Sequence, residues 1–112
     1  MLVDKEGNEV DVGGEGLLLY NGGTVCDDDF DDNAADAICK FMGYDEASRW
    51  TSGNTYDIQK RFEIRLDDVK CRNDDWLSCE YMEWSKKCAH EEDVFLSCTR
   101  GNFLQYLNLV HL

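Results

Sequence analysis

Clustered carboxylates are the first feature of this sequence that could do chemistry. The segment "GTVCDDDFDDNAADAIC", residues 23–39, places six aspartates between two cysteines. Carboxylate oxygens at this density suit a hard cation such as Ca²⁺, with Mg²⁺ as the alternative. An EF-hand loop starting at Asp27 is ruled out, because its sixth position is Asp32 instead of glycine and its twelfth is Ile38 instead of glutamate.

A calcium site of another kind remains, with ligands drawn from segments that are distant in sequence. Acidic residues lie near a cysteine in three places, "CDDDF" at 26–30, "LDDVKC" at 66–71 and "HEED" at 90–93. Disulfides at those cysteines could gather the three segments into one site. The alternative is that each segment is a separate solvated turn.

Catalytic constellations have little support, so we expect no enzyme activity from this chain. No G-x-S-x-G motif occurs, and the histidines are His90 and His111. A Cys88/His90 dyad would need a free thiolate, whereas an even number of cysteines suggests that Cys88 is bridged. Paired carboxylates of the glycosidase type need a deep cleft, which a domain of 112 residues is poorly suited to form.

The cysteine count predicts a disulfide framework and an oxidising, extracellular compartment. Six cysteines allow 15 pairings, and their spacing alone does not choose among them. Zinc ligation is less favoured, because no C-x-x-C pair occurs. The cysteines are Cys26, Cys39, Cys71, Cys79, Cys88 and Cys98.

Net charge limits the classes of partner. The formal charge of −13 argues against nucleic acid and against adhesion to anionic membranes, and it favours cations and basic protein surfaces. The apolar C-terminal stretch "FLQYLNLVHL", residues 103–112, is too short and too interrupted to insert across a bilayer. No signal peptide is visible at the N-terminus, so secretion would require that one has been removed.

The elements that must position these groups are short. Residues 17–20 and 24–25 read as strands around the turn Asn21-Gly22-Gly23. Residues 31–42 are the helix candidate, capped by Asp31 or Asp32 and stopped at Gly43. Its apolar positions repeat with helical spacing at Ala35, Ile38, Cys39 and Met42.

The rest of the chain reads as strands and loops. Residues 44–60 read as a long polar loop, and "RFEIRLDDV" at 61–69 as a half-buried strand. Trp76 is the expected anchor of a turn-rich loop between Cys71 and Cys79, and "DVFLSC" at 93–98 reads as another strand. Several strands with one helix predict a small α+β domain.

Taken together, the ordered pieces of this sequence resemble the scavenger receptor cysteine-rich (SRCR) family, and the six-cysteine pattern is similar to its group A type. The resemblance covers residues 1–100 as one SRCR-like domain and leaves 101–112 as a C-terminal apolar extension. The matching pieces are "LVD" at 2–4, "GTVCDDDF" at 23–30, "AADAICKFMGY" at 34–44, "LDDVKC" at 66–71, "LSC" at 77–79 and "CAHEEDVFLSC" at 88–98.

The resemblance implies a curved antiparallel β-sheet that cradles one α-helix. It also implies three disulfides, which pair Cys26 with Cys88, Cys39 with Cys98, and Cys71 with Cys79. The first two would close long loops, so each could stabilise the fold by several kcal/mol through restriction of the unfolded chain.

A calcium site is also implied by the resemblance, at Asp27, Asp28 and Glu92. A cation there would offset the repulsion within the aspartate run. Some family members have a second site, for which Asp67 matches. Lys87 stands where that site needs an asparagine, and its ammonium opposes a cation, which counts against the second site.

The function expected from this resemblance is extracellular, non-catalytic recognition of anionic or protein ligands with the help of Ca²⁺. Basic side chains at Arg61, Arg65 and Arg72 are candidates for ligand contact, although salt bridges or solvation explain them equally well. One alternative is an accessory domain of a larger secreted enzyme, either a protease or an oxidase. Another is a metal-free assembly domain that uses the apolar extension, and the sequence leaves the oligomeric state open.

Overall fold

Seven strands, one α-helix and three short 3₁₀ helices make up the computed structural model within its described residues, 1–10, 13–84 and 87–100. The predicted extension at 101–112 lies outside this described part. In chain order the elements are β1 (Leu2–Val3), β2 (Glu15–Tyr20), β3 (Gly23–Val25), α1 (Asp32–Phe41), β4 (Glu46–Ser52), β5 (Ile64–Cys71), β6 (Cys79–Glu83) and β7 (Val94–Thr99), with 3₁₀ helices at Asp57–Arg61, Trp76–Ser78 and His90–Glu92.

The strands form a sheet in the order β4-β7-β2-β3-β5-β6, and β1 pairs with β2. The predicted α+β architecture of one sheet with one helix is confirmed, although the sheet is mixed and not wholly antiparallel. Strands β3 and β5 run parallel, with Thr24 opposite Ile64 and Val25 opposite Leu66. Parallel strands need a long crossover connection, and here the crossover contains α1 and β4.

The turn between β2 and β3 follows the sequence prediction. Tyr20 pairs with Gly23, so Asn21 and Gly22 form a two-residue turn. Both residues have positive φ, 47° and 83°, which is the conformation that Asn-Gly adopts readily in tight hairpins. This hairpin delivers Cys26 and the aspartates to the end of β3.

Helix α1 begins and ends where its capping signals predict. The Asp31 carboxylate accepts a hydrogen bond of 2.9 Å from the Ala34 backbone N–H, and Gly43 after the helix has φ 95°. The predicted apolar stripe faces the core, because Ala35, Ile38 and Cys39 are buried. The helix is thereby fixed against the sheet with its acidic N-terminus near the end of β3.

Residues 46–52 correct the sequence prediction of a continuous polar loop over 44–60. They form β4, which pairs with β7 from Glu46 opposite Thr99 to Ser52 opposite Val94. The strand was missed because it is an edge strand, so most of its side chains are polar and exposed. A 3₁₀ helix at Asp57–Arg61 also lies within the stretch that was expected to be loop.

Three disulfides join these elements, with the pairing that the family resemblance implies. Cys26 pairs with Cys88, Cys39 with Cys98, and the remaining two cysteines with each other. The core cluster around them includes buried apolar residues from the helix and from β2, β3, β5 and β7. Among the described residues, no helix has the length and apolarity needed to cross a membrane.

Candidate metal centre

The aspartate pair after Cys26 is positioned by backbone hydrogen bonds on both sides. The Cys26 N–H donates to the Leu66 carbonyl at 2.8 Å, and the Asp27 N–H donates to the Glu92 carbonyl at 2.8 Å. The Phe30 N–H donates back to the Asp27 carbonyl at 2.9 Å, which closes a turn. The aspartates therefore lie on a short turn that is tied to β5 and to the 90–92 segment.

Glu92 reaches the same turn from the far end of the sequence. It lies in the 3₁₀ helix His90–Glu92, which follows Cys88. The Cys26–Cys88 disulfide joins the two segments with a Cα–Cα distance of 6.3 Å across a sequence separation of 62 residues. The Glu92 carboxylate accepts a hydrogen bond of 3.1 Å from the Ala89 N–H, which orients it within its own segment.

The structure brings the predicted carboxylates together. One oxygen from each of Asp27, Asp28 and Glu92, together with the Cys26 sulfur, lie within 4.8 Å of one another. The sulfur is bridged and is not a thiolate, so the carboxylates are the candidate ligands. Binding of an ion at this cluster stays a prediction.

Asp67 adjoins this cluster through Asp28. Its carboxylate lies within 4.8 Å of the Asp28 carboxylate, beside the Cys26–Cys88 sulfurs. The side chain is fully buried; one oxygen accepts a 2.7 Å bond from the Asp68 N–H, and the other has no hydrogen-bond partner within the described chain. A buried carboxylate oxygen without a partner is costly, and a cation is one way to satisfy it.

A backbone irregularity explains why Asp67 is buried next to buried Leu66. The pairing of β5 with β6 shifts register between Asp67 and Lys70, and Asp68 has φ 53°. Such a bulge interrupts the in-and-out alternation of a strand and re-aims a side chain. The alternating pattern of the sequence did not reveal this change of face.

The electrostatics of the cluster disfavour charge on Asp28. Desolvation raises the pKa of Asp28 above its ordinary value, and the charges of Glu92, Asp67 and Asp27 raise it further. A hydrogen bond shared with Glu92 acts in the same direction. The turn therefore holds more negative charge than its surroundings balance, and the donor set of carboxylate oxygens fits a hard divalent cation.

A buried polar network supports the segment that carries Glu92. Asp93 is fully buried, and one of its oxygens accepts bonds from Gln59 Nε2 at 2.9 Å and from His90 Nδ1 at 2.7 Å. Burial raises the pKa of Asp93, while its contacts with Gln59, Thr24 and His90 lower it. Sequence reasoning missed Gln59, and it placed Asp93 only within the acidic segment 90–93 and not at the centre of a buried network.

The three predicted basic residues lie in different surroundings. Arg65 is 19% exposed in its side chain; it pairs with Glu83 at 3.2 Å and lies 4.2 Å from the centre of the Trp84 ring. Arg61 ends a 3₁₀ helix and Arg72 follows β5, and both are exposed. Arg65 thus has a structural role, and ligand contact by any of the three stays a prediction.

The Cys88/His90 dyad considered from the sequence is not formed, because Cys88 is bridged to Cys26. The His90 ring nitrogen instead contacts Asp93 at 2.7 Å. The chemistry available here is therefore metal ligation by the carboxylate oxygens of Asp27, Asp28 and Glu92, which the Cys26–Cys88 disulfide cross-links.

Comparison with known proteins agrees with this fold and disulfide pattern. The model of the scavenger receptor cysteine-rich domain family matches residues 7–99. Lysyl oxidase homolog 2 is 39% identical in Bos taurus and 40% in Xenopus laevis, each over 87 residues. These matches cover 73% of this chain and 11% of the relative, so the chain spans about a tenth of the length of those proteins.

A solved structure gives the same result for the fold. The dimeric form of the SRCR domain of mouse MARCO matches with a TM-score of 0.57 and 31% sequence identity. The match covers 81% of this chain and 94% of that one. On the family model, the shared fold and the three disulfides, this chain belongs to the scavenger receptor cysteine-rich domain family.

Proposed function

We propose that this chain is an extracellular, non-catalytic recognition module that binds anionic or protein ligands through a divalent cation, with Ca²⁺ favoured over Mg²⁺. The observation that carries the proposal is the convergence of Asp27, Asp28 and Glu92 within 4.8 Å. The disulfide framework supports an oxidising compartment, which is where such bridges persist.

The carboxylates would hold the cation, and a ligand would complete its coordination shell. Bound Ca²⁺ would supply a positive charge that takes about six to eight oxygen ligands, more than the cluster provides. Asp27 and Asp28 present their oxygens on a turn at the surface, while Asp67 closes the buried side. An anionic group of a ligand would therefore approach from the solvent side, where coordination positions are open.

Calorimetric titration of the full chain with CaCl₂, and separately with MgCl₂, tests the proposal. We expect Asp28→Asn and Glu92→Gln each to weaken Ca²⁺ binding by about tenfold or more, because each removes a carboxylate ligand. Asp29→Asn and Glu91→Gln are matched controls, since they make the same replacements at adjacent exposed positions. Asparagine tolerates the positive φ of 62° at position 29.

The outcomes separate the cluster from general surface charge. Equal loss in the controls would mean that net charge alone attracts the cation, and no heat in the parent chain would remove the metal from the proposal. Binding of dextran sulfate, as an anionic probe, with and without EDTA then tests the ligand step. Binding that is unchanged by EDTA contradicts cation-assisted recognition.

A second candidate function is that of an accessory domain within a larger secreted enzyme. The observation that favours it is the 38–40% identity to a short part of lysyl oxidase homolog 2, a protein of which this chain covers 11%. Sequencing the transcript on both sides of the coding region for residues 1–112 tests this directly. A catalytic domain in the same reading frame supports it, and a reading frame without one contradicts it.

A further inference from the structure

A surface unrelated to the carboxylate cluster has no role so far. Side chains from four elements meet there, and we name them the aromatic face: Tyr20, Phe41, Trp76, Leu77 and Tyr81. The Trp76 ring stacks on Tyr81 at 5.2 Å and lies 5.6 Å from Phe41 and 5.9 Å from Tyr20. Despite this packing, Phe41 is 62% exposed and Leu77 is 90% exposed.

Two cavities flank the aromatic face. The smaller, of about 160 Å³, lies between β2 and the helix and is lined mainly by apolar residues. The larger, of about 460 Å³, lies toward the 3₁₀ helix Trp76–Ser78. Phe41 and Trp76 line both cavities and so form the ridge between them. The groove is mainly apolar on the β2 side, whereas on the other side charged Lys40, Asp74 and Asp75 line it together with the aromatic face. An exposed apolar surface of this kind usually has an occupant.

The described chain ends close to this face. The Asp45 N–H donates to the Thr99 carbonyl at 2.9 Å, and the Arg100 guanidinium lies 5.4 Å from the centre of the Tyr44 ring. Tyr44 follows Phe41 by three residues, a span of at most about 11 Å. The residues after Arg100 would thus start beside the end of α1, and twelve residues reach at most about 40 Å when extended.

The composition of the residues after Arg100 suits the aromatic face. No Asp, Glu, Lys or Arg occurs from 101 to 112, although the chain as a whole has 24 acidic and 11 basic residues. The segment instead concentrates large apolar side chains: Phe103, Leu104, Tyr106, Leu107, Leu109 and Val110. An uncharged apolar segment meets no repulsion from a strongly acidic domain, and it gains by leaving water.

We propose that residues 103–110 of this same chain dock on the aromatic face and cover Phe41, Trp76 and Leu77. Tethering favours this occupant over a second copy, because the segment is held near the groove at a high effective concentration. Its apolar side chains would fill the two cavities on either side of the Phe41–Trp76 ridge. The proposal does not involve the carboxylate cluster and stands apart from the proposed function.

Photo-crosslinking in the full chain tests the proposal. The probe is p-benzoylphenylalanine placed at position 107 instead of leucine, and crosslinked peptides are identified by mass spectrometry. We expect crosslinks within one chain to the peptide that contains Trp76, Leu77 and Tyr81. Leu77→Asp should reduce their yield by about tenfold, because it places a charge where the segment would dock.

The controls separate the aromatic face from general stickiness and from misfolding. Trp84→Asp makes a matched change at a 52% exposed aromatic residue that packs on Arg65, and it should leave the crosslink yield unchanged. Leu77 is so exposed that its replacement spares the core. Crosslinks between two chains would mean that a second copy occupies the groove. Crosslinks only to peptides outside the aromatic face would mean that residues 103–110 do not dock there. Either result overturns the proposal.

Discussion

Replacing Gln59 by methionine is expected to destabilise the domain strongly, even though the two side chains have similar length and shape. Gln59 is fully buried, and its amide makes five hydrogen bonds. The oxygen accepts from the Thr55 and Tyr56 N–H groups, both at 2.7 Å. The nitrogen has two N–H groups and three acceptors in reach, the carbonyls of Gly53 and His90 and the carboxylate of Asp93, so one N–H is shared between two of them.

The magnitude depends on which partners water can reach after the change. Asp93 is fully buried, so it loses a charge-assisted bond that water cannot replace, at a cost of about 2–3 kcal/mol. The Thr55 and Tyr56 amides are nearer the surface and recover part of their bonding, so together they add about 1–2 kcal/mol. Gln59→Met leaves no large cavity, and we therefore expect a loss of about 3–5 kcal/mol.

Guanidinium denaturation of the oxidised protein, followed by tryptophan fluorescence and circular dichroism, measures this loss. Lys60→Met is the matched control, because it makes the same replacement at the next, exposed position and should change stability by less than about 0.5 kcal/mol. A loss below about 1 kcal/mol for Gln59→Met would refute the reasoning, since the network would then contribute little to folding.

Two further predictions concern the cross-links and the surface charges. Replacing both Cys39 and Cys98 by alanine should lower the free energy of unfolding by about 4 kcal/mol in chemical denaturation, because this bridge spans 59 residues. Removing the Cys71–Cys79 bridge, which spans 8 residues, should lower it by about 2.5 kcal/mol. The reverse ranking would contradict the loop-entropy argument. The hydrogen bond from Lys40 and the charge of Lys40 lower the pKa of Asp74. The pair therefore stabilises the fold fully at pH values above the ordinary pKa of an aspartate, and this stabilisation is lost as the pH falls through the lowered pKa of Asp74. Carboxyl-carbon NMR titration should show the midpoint of Asp74 rising toward its ordinary value in Lys40→Gln, and an unmoved midpoint would contradict the pairing.

Local signals in the sequence were sufficient for the elements that are determined locally. Asn21-Gly22 predicted its tight turn because that pair tolerates positive φ at both positions. Asp31 predicted the start of α1 because its side chain can accept a bond from the first turn. Each of these features depends on residues within four positions of one another.

Features that depend on distant partners were not predictable in the same way. Strand β4 has a polar sequence and exists because β7 pairs with it from Glu46 to Ser52, with one register shift between Ala47 and Arg49. Asp36 illustrates the same limit, since its carboxylate accepts the Ala47 N–H at 2.8 Å and holds β4 to the helix. The bulge at Asp68, which buries Asp67, likewise arises from the pairing of β5 with β6.

The same distinction applies to the run of aspartates between Cys26 and Cys39. Asp31, Asp32 and Asp36 are engaged by the fold itself, as helix cap, as partner of the Trp50 indole at 3.0 Å, and as anchor of β4. Asp28 instead shares a hydrogen bond with another carboxylate, that of Glu92, and lies 3.6 Å from the Cys88 sulfur. The aspartates before the helix therefore differ in role as well as in position from Asp31, Asp32 and Asp36, which accept hydrogen bonds that hold the fold together.

Carboxylates that repel one another stay close only if other bonds hold their segments together, and in this domain those bonds are a disulfide and backbone hydrogen bonds. The aspartate turn is attached to the Glu92 segment by a disulfide and by the Asp27 N–H bond to the Glu92 carbonyl, neither of which needs a cation. The desolvation and the repulsion that raise the pKa of Asp28 are thus imposed by folding. Such a site is preorganised, because the cost of gathering the ligands is met when the chain folds. Binding of a cation at this turn would then relieve existing repulsion with little change in shape, which is the arrangement that a rigid recognition surface requires.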